Sequence, residues 1–176
     1  MIYVVRHGQT NMNKEKRLQG RNGLPLNENG IEQAYSIRAK LQDIQFDFAY
    51  SSPQLRAIDT AKIISGLHVI ADPRLDVFDL GDADGLPIKN VKFMGGIPDP
   101  DQYHGVESID SFVKRVFDFM HELKQRYAGA NTNVLIAGHR CTTGCIGSYF
   151  MGIPQDGNML QHSSSNGEYK IFEFPV

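Results

Sequence analysis

Residues 1–13 read MIYVVRHGQTNMN, and this opening stretch governs how the rest of the sequence is interpreted. Positions 2–5 are apolar, β-branched and aromatic, which is typical of a short buried strand. The run ends directly at Arg6 and His7, so a cationic and a titratable side chain follow the strand. The polar, glycine-rich stretch 6–29 predicts a long loop, and loops of that length in compact domains are often functional.

The rest of the sequence alternates between strand and helix patterns. We predict strands over 46–50, 68–71, 133–137 and 168–174, and helices over 31–41, 53–65, 109–127 and 140–150. Ser52 and Ser108 are interpreted as N-caps, and Gly66 as the residue that closes the second helix. Residues 76–101 are expected to be irregular. The alternation predicts an α/β fold, a three-layer α/β/α sandwich with a mostly parallel central sheet, in one domain over residues 1–176.

Polar side chains follow three of the predicted strands directly, as Arg6-His7, Ser51-Ser52 and Gly138-His139. In open α/β sheets, ligands bind beyond the carboxyl ends of the parallel strands. If these strands are parallel neighbours, the three groups converge on one rim of the sheet. The sequence therefore predicts a functional site there.

The composition of the 176-residue chain limits the function classes that fit it. Hydrophobic residues make up 41% and charged residues 22%, as in ordinary globular proteins. The net charge of -2 gives no global attraction for nucleic acid or an anionic membrane, so we expect neither as a partner. Positions 1–5 are too short for an export signal or a membrane span. Two cysteines, Cys141 and Cys145, favour a reducing compartment, and we predict a cytoplasmic protein.

Several motifs occur in order along the sequence, and together they resemble the histidine phosphatase superfamily, which has the phosphoglycerate-mutase-like fold. The resemblance covers essentially the whole chain. The matching elements are Arg6 to Thr10 for Arg-His-Gly-x-Thr, the following Asn13, Leu18 to Gly20, Pro25 to Gly30, Ser51 to Ala61 for Ser-Ser-Pro-x-x-Arg-Ala-x-x-Thr-Ala, Gly105 to Ser108, and Gly138-His139.

The resemblance implies that His7 is a nucleophile that becomes a phosphohistidine, without a metal or any other cofactor. It also implies that Arg6, Arg56 and His139 hold the phosphoryl group. Guanidinium suits that task because it keeps its charge and presents a planar fork of donors. We expect His139 to be protonated when phosphate is bound, and the second ring nitrogen of His7 to be held by a backbone carbonyl of its own loop.

Two further polar residues of this opening are candidate phosphate or substrate ligands. Asn13 can donate a neutral hydrogen bond to the phosphoryl oxygens. Thr10 can do the same, although a loop hydrogen bond explains it equally well.

The sequence departs from the family pattern where most members supply a glutamate as general acid, in Leu-x-Glu-x-x-x-Gly. Anchored on Leu75 and Gly81, that position falls on Val77, which cannot transfer a proton. Asp76 and Asp79 are the nearest candidate replacements, with Asp82 and Asp84 further along, and all four fit a solvated loop equally well. A good leaving group, such as an acyl phosphate or a phosphohistidine, needs little help from an acid.

Arg140 is a second departure, because the family usually has a small residue directly after the second histidine. Its guanidinium is suited to a second anionic group on the substrate, or it points away from the site.

The sequence thus predicts a metal-independent phosphatase (phosphoric monoester hydrolase, of the histidine acid type) acting on a small phosphorylated substrate. A phospho-ligand binding protein that has lost the acid is the alternative that Val77 favours. A phosphoglycerate-type mutase is a further alternative, disfavoured because mutases carry longer insertions that close over the intermediate. Neither a G-x-x-x-x-G-K-[ST] phosphate loop nor a G-x-G-x-x-G dinucleotide motif is present.

Overall fold

The computed structural model describes residues 1–175, and its elements follow the predicted alternation. The strands are β1 (Ile2–Arg6), β2 (Phe48–Ser51), β3 (Val69–Ala71), β4 (Phe93–Met94), β5 (Ile97–Pro98), β6 (Val134–Gly138) and β7 (Tyr169–Phe172). The helices are α1 (Asn11–Lys14), α2 (Glu28–Lys40), α3 (Leu55–Ser65), α4 (Ile109–Tyr127) and α5 (Arg140–Met151). Among residues 1–175, no helix combines the length and the apolar character that crossing a bilayer requires.

Five strands form the central sheet, in the order β3-β2-β6-β1-β7. β1, β2, β3 and β6 run parallel, and only the edge strand β7 is antiparallel to its neighbour. β1 and β6 pair in register from Ile2 with Val134 to Arg6 with Gly138. The mostly parallel sheet is therefore confirmed.

Alternate side chains of the central strands enter two separate apolar cores. Ile2 and Val4 lie in a cluster with residues of α4 and α5, whereas Tyr3 and Val5 lie in a cluster with residues of α2 and α3. A pleated strand buried on both faces requires this alternation. Helices thus cover both faces of the sheet, as in the predicted α/β/α sandwich.

The structure corrects two predictions about local elements. The stretch 6–29 is not an uninterrupted loop, because it contains α1 and the start of α2, each capped by a side chain: Thr10 accepts from the Asn13 N–H, and Asn27 accepts from the Gly30 N–H. Ser52 is not the N-cap of α3, because that position is Gln54, which makes no side-chain cap bond. Ser108 does cap α4, as predicted.

Residues 76–101 also contain more order than the sequence analysis predicts. β4 and β5 pair as an antiparallel hairpin across Gly95 and Gly96, whose φ angles are 60° and 86°. Two consecutive positive φ angles are the requirement of a tight two-residue hairpin, which explains why two glycines stand at this turn.

Gly66 closes α3 in the left-handed conformation, with φ 70°, and a Cβ added there would meet no atom within 4 Å. Gly66→Ala should therefore lower the free energy of unfolding by about 1 kcal/mol through backbone strain alone. Gly66→Asn should cost less, since asparagine tolerates this conformation. Urea unfolding of the three proteins measures the difference, and an alanine variant as stable as the wild type would contradict the expected strain.

Candidate active site

The carboxyl ends of β1, β2 and β6 meet at one edge of the sheet, and the polar residues that follow them come together there. The His7 N–H donates to the Gly138 carbonyl over 3.0 Å, and the Ser52 N–H donates to the Ala137 carbonyl over 3.1 Å. The rings of His7 and His139 lie edge to face, with centroids 5.1 Å apart. Parallel pairing thus assembles the site from segments distant in sequence.

His7 is only 2% exposed, and backbone contacts hold its ring in one orientation. Its Nδ1 lies 2.7 Å from the Gly8 carbonyl oxygen. Because a carbonyl only accepts, Nδ1 carries the proton and Nε2 keeps its lone pair. The Gly8 N–H in turn donates to Thr60 Oγ1 over 3.1 Å, and Asn166 Nδ2 donates to the His7 carbonyl over 2.9 Å. The expected backbone carbonyl beside His7 is therefore that of Gly8.

The surroundings of His7 keep the imidazole neutral. Burial, followed by the positive charge of Arg56 and then that of Arg6, lowers the pKa of His7 to about 3, against a smaller opposing effect of the Gly8 hydrogen bond. A neutral ring with a free Nε2 lone pair is the nucleophilic form of histidine.

Arg6 and Arg56 bring two positive charges to this site, and neither forms an ion pair with a carboxylate of residues 1–175. Arg56 is 1% exposed, and its Nη2 donates to the Gly20 carbonyl over 2.9 Å. Arg6 Nη1 reaches the Ser164 carbonyl at 3.5 Å. The Nε atoms of both arginines are buried without a hydrogen-bond partner among the described residues. Burial lowers the pKa of each to about 10, so both stay charged at neutral pH. Arg6 lines the pocket, whereas Arg56 is not among its lining residues.

His139 lies across from His7, held by the Ser52 hydroxyl. Its Nε2 is 2.8 Å from Ser52 Oγ, whereas its buried Nδ1 has no partner within residues 1–175. Ser52 Oγ also accepts from the Gln54 N–H over 3.2 Å and donates to Asp76 Oδ1 over 3.4 Å. Burial, then the electrostatic effect of His7 and the positive charges of Arg56 and Arg6, lowers the pKa of His139 well below its usual value, so the ring is neutral in the free site. Ser52 thus positions a functional side chain and does not cap α3.

Asn13 lies in the wall of the pocket, whereas Thr10 does not. Asn13 Oδ1 accepts from the Thr10 N–H over 3.0 Å and lies 3.4 Å from Asn166 Nδ2. These contacts leave the Nδ2 group of Asn13 as the donor for a ligand. Thr10 is fully buried and caps α1, so the structure favours the loop role of Thr10 over a phosphate contact.

Gln19 is a candidate ligand residue that the sequence analysis missed. Its Oε1 accepts from Thr10 Oγ1 over 2.9 Å and from the Leu24 N–H over 3.1 Å. Its Nε2 is buried in the pocket wall without a partner. Gln19 belongs to one of the motifs that carried the resemblance, and that motif is the signal that could have identified it.

Comparison with known proteins agrees with this geometry. The model of the histidine phosphatase superfamily (branch 1) matches residues 2–175. The chain belongs to this superfamily.

Relatives within the superfamily carry phosphatase and mutase names. The uncharacterized phosphatase PhoE of Bacillus subtilis is 31% identical over 143 residues, which are 78% of this chain and 70% of PhoE. The probable phosphoglycerate mutase GpmB of Yersinia pestis is 29% identical over 169 residues, 87% of this chain and 75% of GpmB. The crystal structure of the alpha-ribazole phosphatase from Shigella flexneri superposes with a TM-score of 0.81 at 25% identity, covering 96% of this chain and 87% of that one.

Asp76 and Asp79, the candidate replacements for the missing acid, are not among the residues that line the pocket. Val77 is 4% exposed and lies in the pocket wall, so the position is apolar as well as non-titratable. Asp76 accepts from the Val77 N–H over 2.8 Å and lies 3.4 Å from Arg21 Nε. Asp79 pairs with Arg21 Nη1 at 3.3 Å and accepts from the Gly81 N–H over 3.0 Å. Backbone N–H groups and Arg21 therefore hold both carboxylates in place.

The pocket has a volume of about 320 Å³ and a wall without acidic residues. Among the described residues that line it, none is Asp or Glu, so Asp82 and Asp84 do not line it either. Arg140 does line it, and its charge contributes to the lowered pKa of Arg6. Arg140 therefore faces the pocket, and the wall is cationic and apolar.

The lowered pKa of His7 predicts how stability depends on pH. Between pH 6.5 and about 3 the unfolded chain binds a proton at His7 that the folded chain does not, so stability falls as the pH falls. From pH 7 to pH 5, the wild type should lose about 2 kcal/mol more than His7→Asn, which cannot titrate. Urea unfolding at the two pH values measures this difference.

The exposed His68 supplies the control for that measurement. His68→Asn is measured in the same way, because it makes the same exchange of residue types on the protein surface. Equal losses in the wild type and in His7→Asn would contradict a buried, neutral His7.

Proposed function

We propose that this protein is a metal-independent phosphatase that hydrolyses a small phosphomonoester, or an acyl phosphate or phosphohistidine, through a phosphohistidine on His7. The observation that carries the proposal is the Nδ1 contact of His7 with the Gly8 carbonyl at 2.7 Å, which leaves the Nε2 lone pair free in a site that feels the positive charges of Arg56 and Arg6. The two guanidinium charges of Arg6 and Arg56 balance a phosphate dianion, so the reaction needs no further cation.

In the first step, the Nε2 lone pair of His7 attacks phosphorus, the N–P bond forms, and the P–O bond to the leaving group breaks. The bond pair leaves with the oxygen. The resulting phosphorylated imidazolium keeps its proton on Nδ1, which still donates to the Gly8 carbonyl. In the second step, water attacks phosphorus, the N–P pair returns to Nε2, and one proton of the water goes to solvent. Inorganic phosphate is released.

His139 contributes to both steps as a hydrogen-bond donor from Nδ1. The 2.8 Å contact with Ser52 occupies Nε2, and the buried Nδ1 has no partner among the described residues, so Nδ1 is the nitrogen available to the phosphoryl group. The lowered pKa makes His139 neutral in the free site, whereas our expectation of an imidazolium concerns the phosphate-bound site. A bound phosphate dianion opposes that lowering and so favours the imidazolium, which carries a proton on Nδ1 as well as on Nε2.

The apolar Val77 limits which leaving groups depart readily. With no carboxylic acid in the wall among residues 1–175, the oxygen leaves without a proton from a carboxyl group of the protein. Acyl phosphates, phosphohistidines and aryl phosphates meet this condition, because their leaving groups are weak bases. The same observation favours a second candidate function, a phospho-ligand binding protein that forms no covalent intermediate. The free thiols Cys141 and Cys145 support a cytoplasmic location as part of the proposal.

Hydrolysis of acyl, aryl and alkyl phosphates, measured with a chelator present, tests the phosphatase proposal. We expect the wild type to hydrolyse acyl and aryl phosphates and to form an acid-labile phosphoenzyme. His7→Ala should lose at least about a thousandfold in kcat and form no phosphoenzyme. If the wild type binds inorganic phosphate but neither turns over nor becomes labelled, the binding function is correct. Transfer to an added phosphoglycerate in preference to water would indicate a mutase.

Ser52→Ala tests the positioning of His139. Without the hydroxyl, the ring of His139 loses the hydrogen bond that fixes its orientation, so kcat should fall about tenfold with a smaller change in KM. The pH profile of kcat should shift as well, and Ser52→Thr should recover most of the rate. Ser148→Ala is the matched control, because Ser148 is also buried and bonds only to the Gly144 carbonyl within α5. Wild-type kinetics in Ser52→Ala would contradict the role of the hydroxyl.

A further inference from the structure

Beyond the phosphoryl-binding residues, the wall of the active-site pocket is predominantly apolar. The residues that form this outer wall include Ile88, Phe93, Ile97, Pro98, Ile109 and Met159. They come from three separate parts of the chain and surround the same opening. We call this set the outer wall.

Three side chains of the outer wall are unusually exposed for their type. Ile88 is 44% exposed, Phe93 is 42% exposed and Ile109 is 36% exposed. Single exposed apolar residues are common on proteins, but a group of them at the mouth of one pocket marks a binding surface. The group is continuous with the phosphoryl-binding residues, so a ligand held by its phosphate lies directly against it.

The β4–β5 hairpin holds its part of the outer wall in a defined orientation. Phe93 pairs with Pro98 across the hairpin. The hairpin base is closed by the Asp99 N–H, which donates to the Lys92 carbonyl over 3.0 Å, and by the Lys92 N–H, which donates to the Tyr103 hydroxyl over 3.2 Å. Phe93 lines the pocket, whereas its neighbour Met94 is not among the lining residues.

The polar side chains outside the phosphoryl-binding residues are poorly suited to a sugar. They are Arg17, Arg140 and Asn158, and none is a carboxylate. Arg17 Nε already donates to the Gly85 carbonyl over 2.7 Å, and Asn158 Oδ1 accepts from the Leu160 N–H over 3.2 Å. Among these three side chains, only Asn158 has an acceptor, and it already accepts one hydrogen bond, so most hydroxyl protons of a polyol placed there would lose water without gaining a side-chain acceptor.

From these observations we infer that the outer wall binds the organic part of the substrate, and that this part is an aromatic or similarly apolar group. The inference rests on the proposed function, because it assumes that the phosphate of the ligand occupies the site around His7. A volume of about 320 Å³ lies at the small end of ligand pockets, so one or two rings fit and a large ligand does not.

Binding of phosphonates that cannot be hydrolysed tests the inference without depending on catalysis. The probes are benzylphosphonate, 2-hydroxyethylphosphonate and methylphosphonate, with dissociation constants measured by calorimetry. Benzylphosphonate should bind about tenfold more tightly than the other two, because only its ring buries apolar surface against the wall. The carbon–phosphorus bond removes any effect of the leaving group.

Phe93→Ala and Met94→Ala form a matched pair on the same strand. Phe93→Ala should abolish most of the advantage of benzylphosphonate and leave the binding of methylphosphonate unchanged. Met94→Ala should keep the full advantage. Both positions lie on an exposed hairpin. Melting temperatures equal to that of the wild type would show that both variants fold normally.

The possible outcomes separate this inference from the proposed function. Equal binding of the three phosphonates, with phosphatase activity intact, would overturn the apolar subsite alone. An advantage for benzylphosphonate that persists in Phe93→Ala would overturn the role of the hairpin. A Phe93-dependent advantage in a protein that hydrolyses nothing would support the subsite and reject the phosphatase. Failure of every phosphonate to bind, in a protein that also hydrolyses nothing, would reject both the apolar subsite and the phosphatase.

Discussion

The buried positive charge of Arg6 and Arg56, beside two buried imidazoles, is the constraint on which the site depends. Neither guanidinium forms an ion pair with a carboxylate of the described chain. Removing charge from water without such a partner is costly, and the lowered pKa values of both arginines reflect that cost. A phosphate dianion supplies the missing charge. The site therefore gives up stability in the free protein for complementarity to an anionic ligand.

The central sheet makes this costly cluster possible by fixing it from both sides. β1 is hydrogen-bonded to β6 and β7, and its side chains alternate between two apolar cores. A slip of one residue would move Tyr3 and Val5 to the opposite core and displace His7 from the Gly138 carbonyl. The hydrophobic core thus determines the register, and the register determines where the charged groups lie. The distance between the two histidine rings follows from strand pairing between segments about 130 residues apart.

The sequence predicted those features that depend on local pattern, and it failed where contacts between distant segments decide. The buried β1, the Ser108 cap and the left-handed Gly66 each have a local signature, and all three were correct. Ser52 has the signature of a helix N-cap, but its hydroxyl forms a hydrogen bond with the buried ring of His139. The contacts that turn Asp76 and Asp79 away from the pocket involve Arg21, which no local pattern indicates.

The sequence analysis did not predict the β4–β5 hairpin. Gly95-Gly96 between apolar residues is a hairpin signal, but glycine and proline nearby also fit an irregular loop.

The hairpin matters for substrate specificity, because it lines the pocket. The residues proposed to bind the phosphoryl group would contact a group that every phosphomonoester and inorganic phosphate share, so they would not discriminate among substrates. Discrimination is a difference in binding energy, and it has to come from the part of the pocket that touches the organic group. In this chain that part is acid-free and apolar. The wall has no carboxylic acid that could protonate a basic leaving group, and its apolar side chains favour an apolar leaving group.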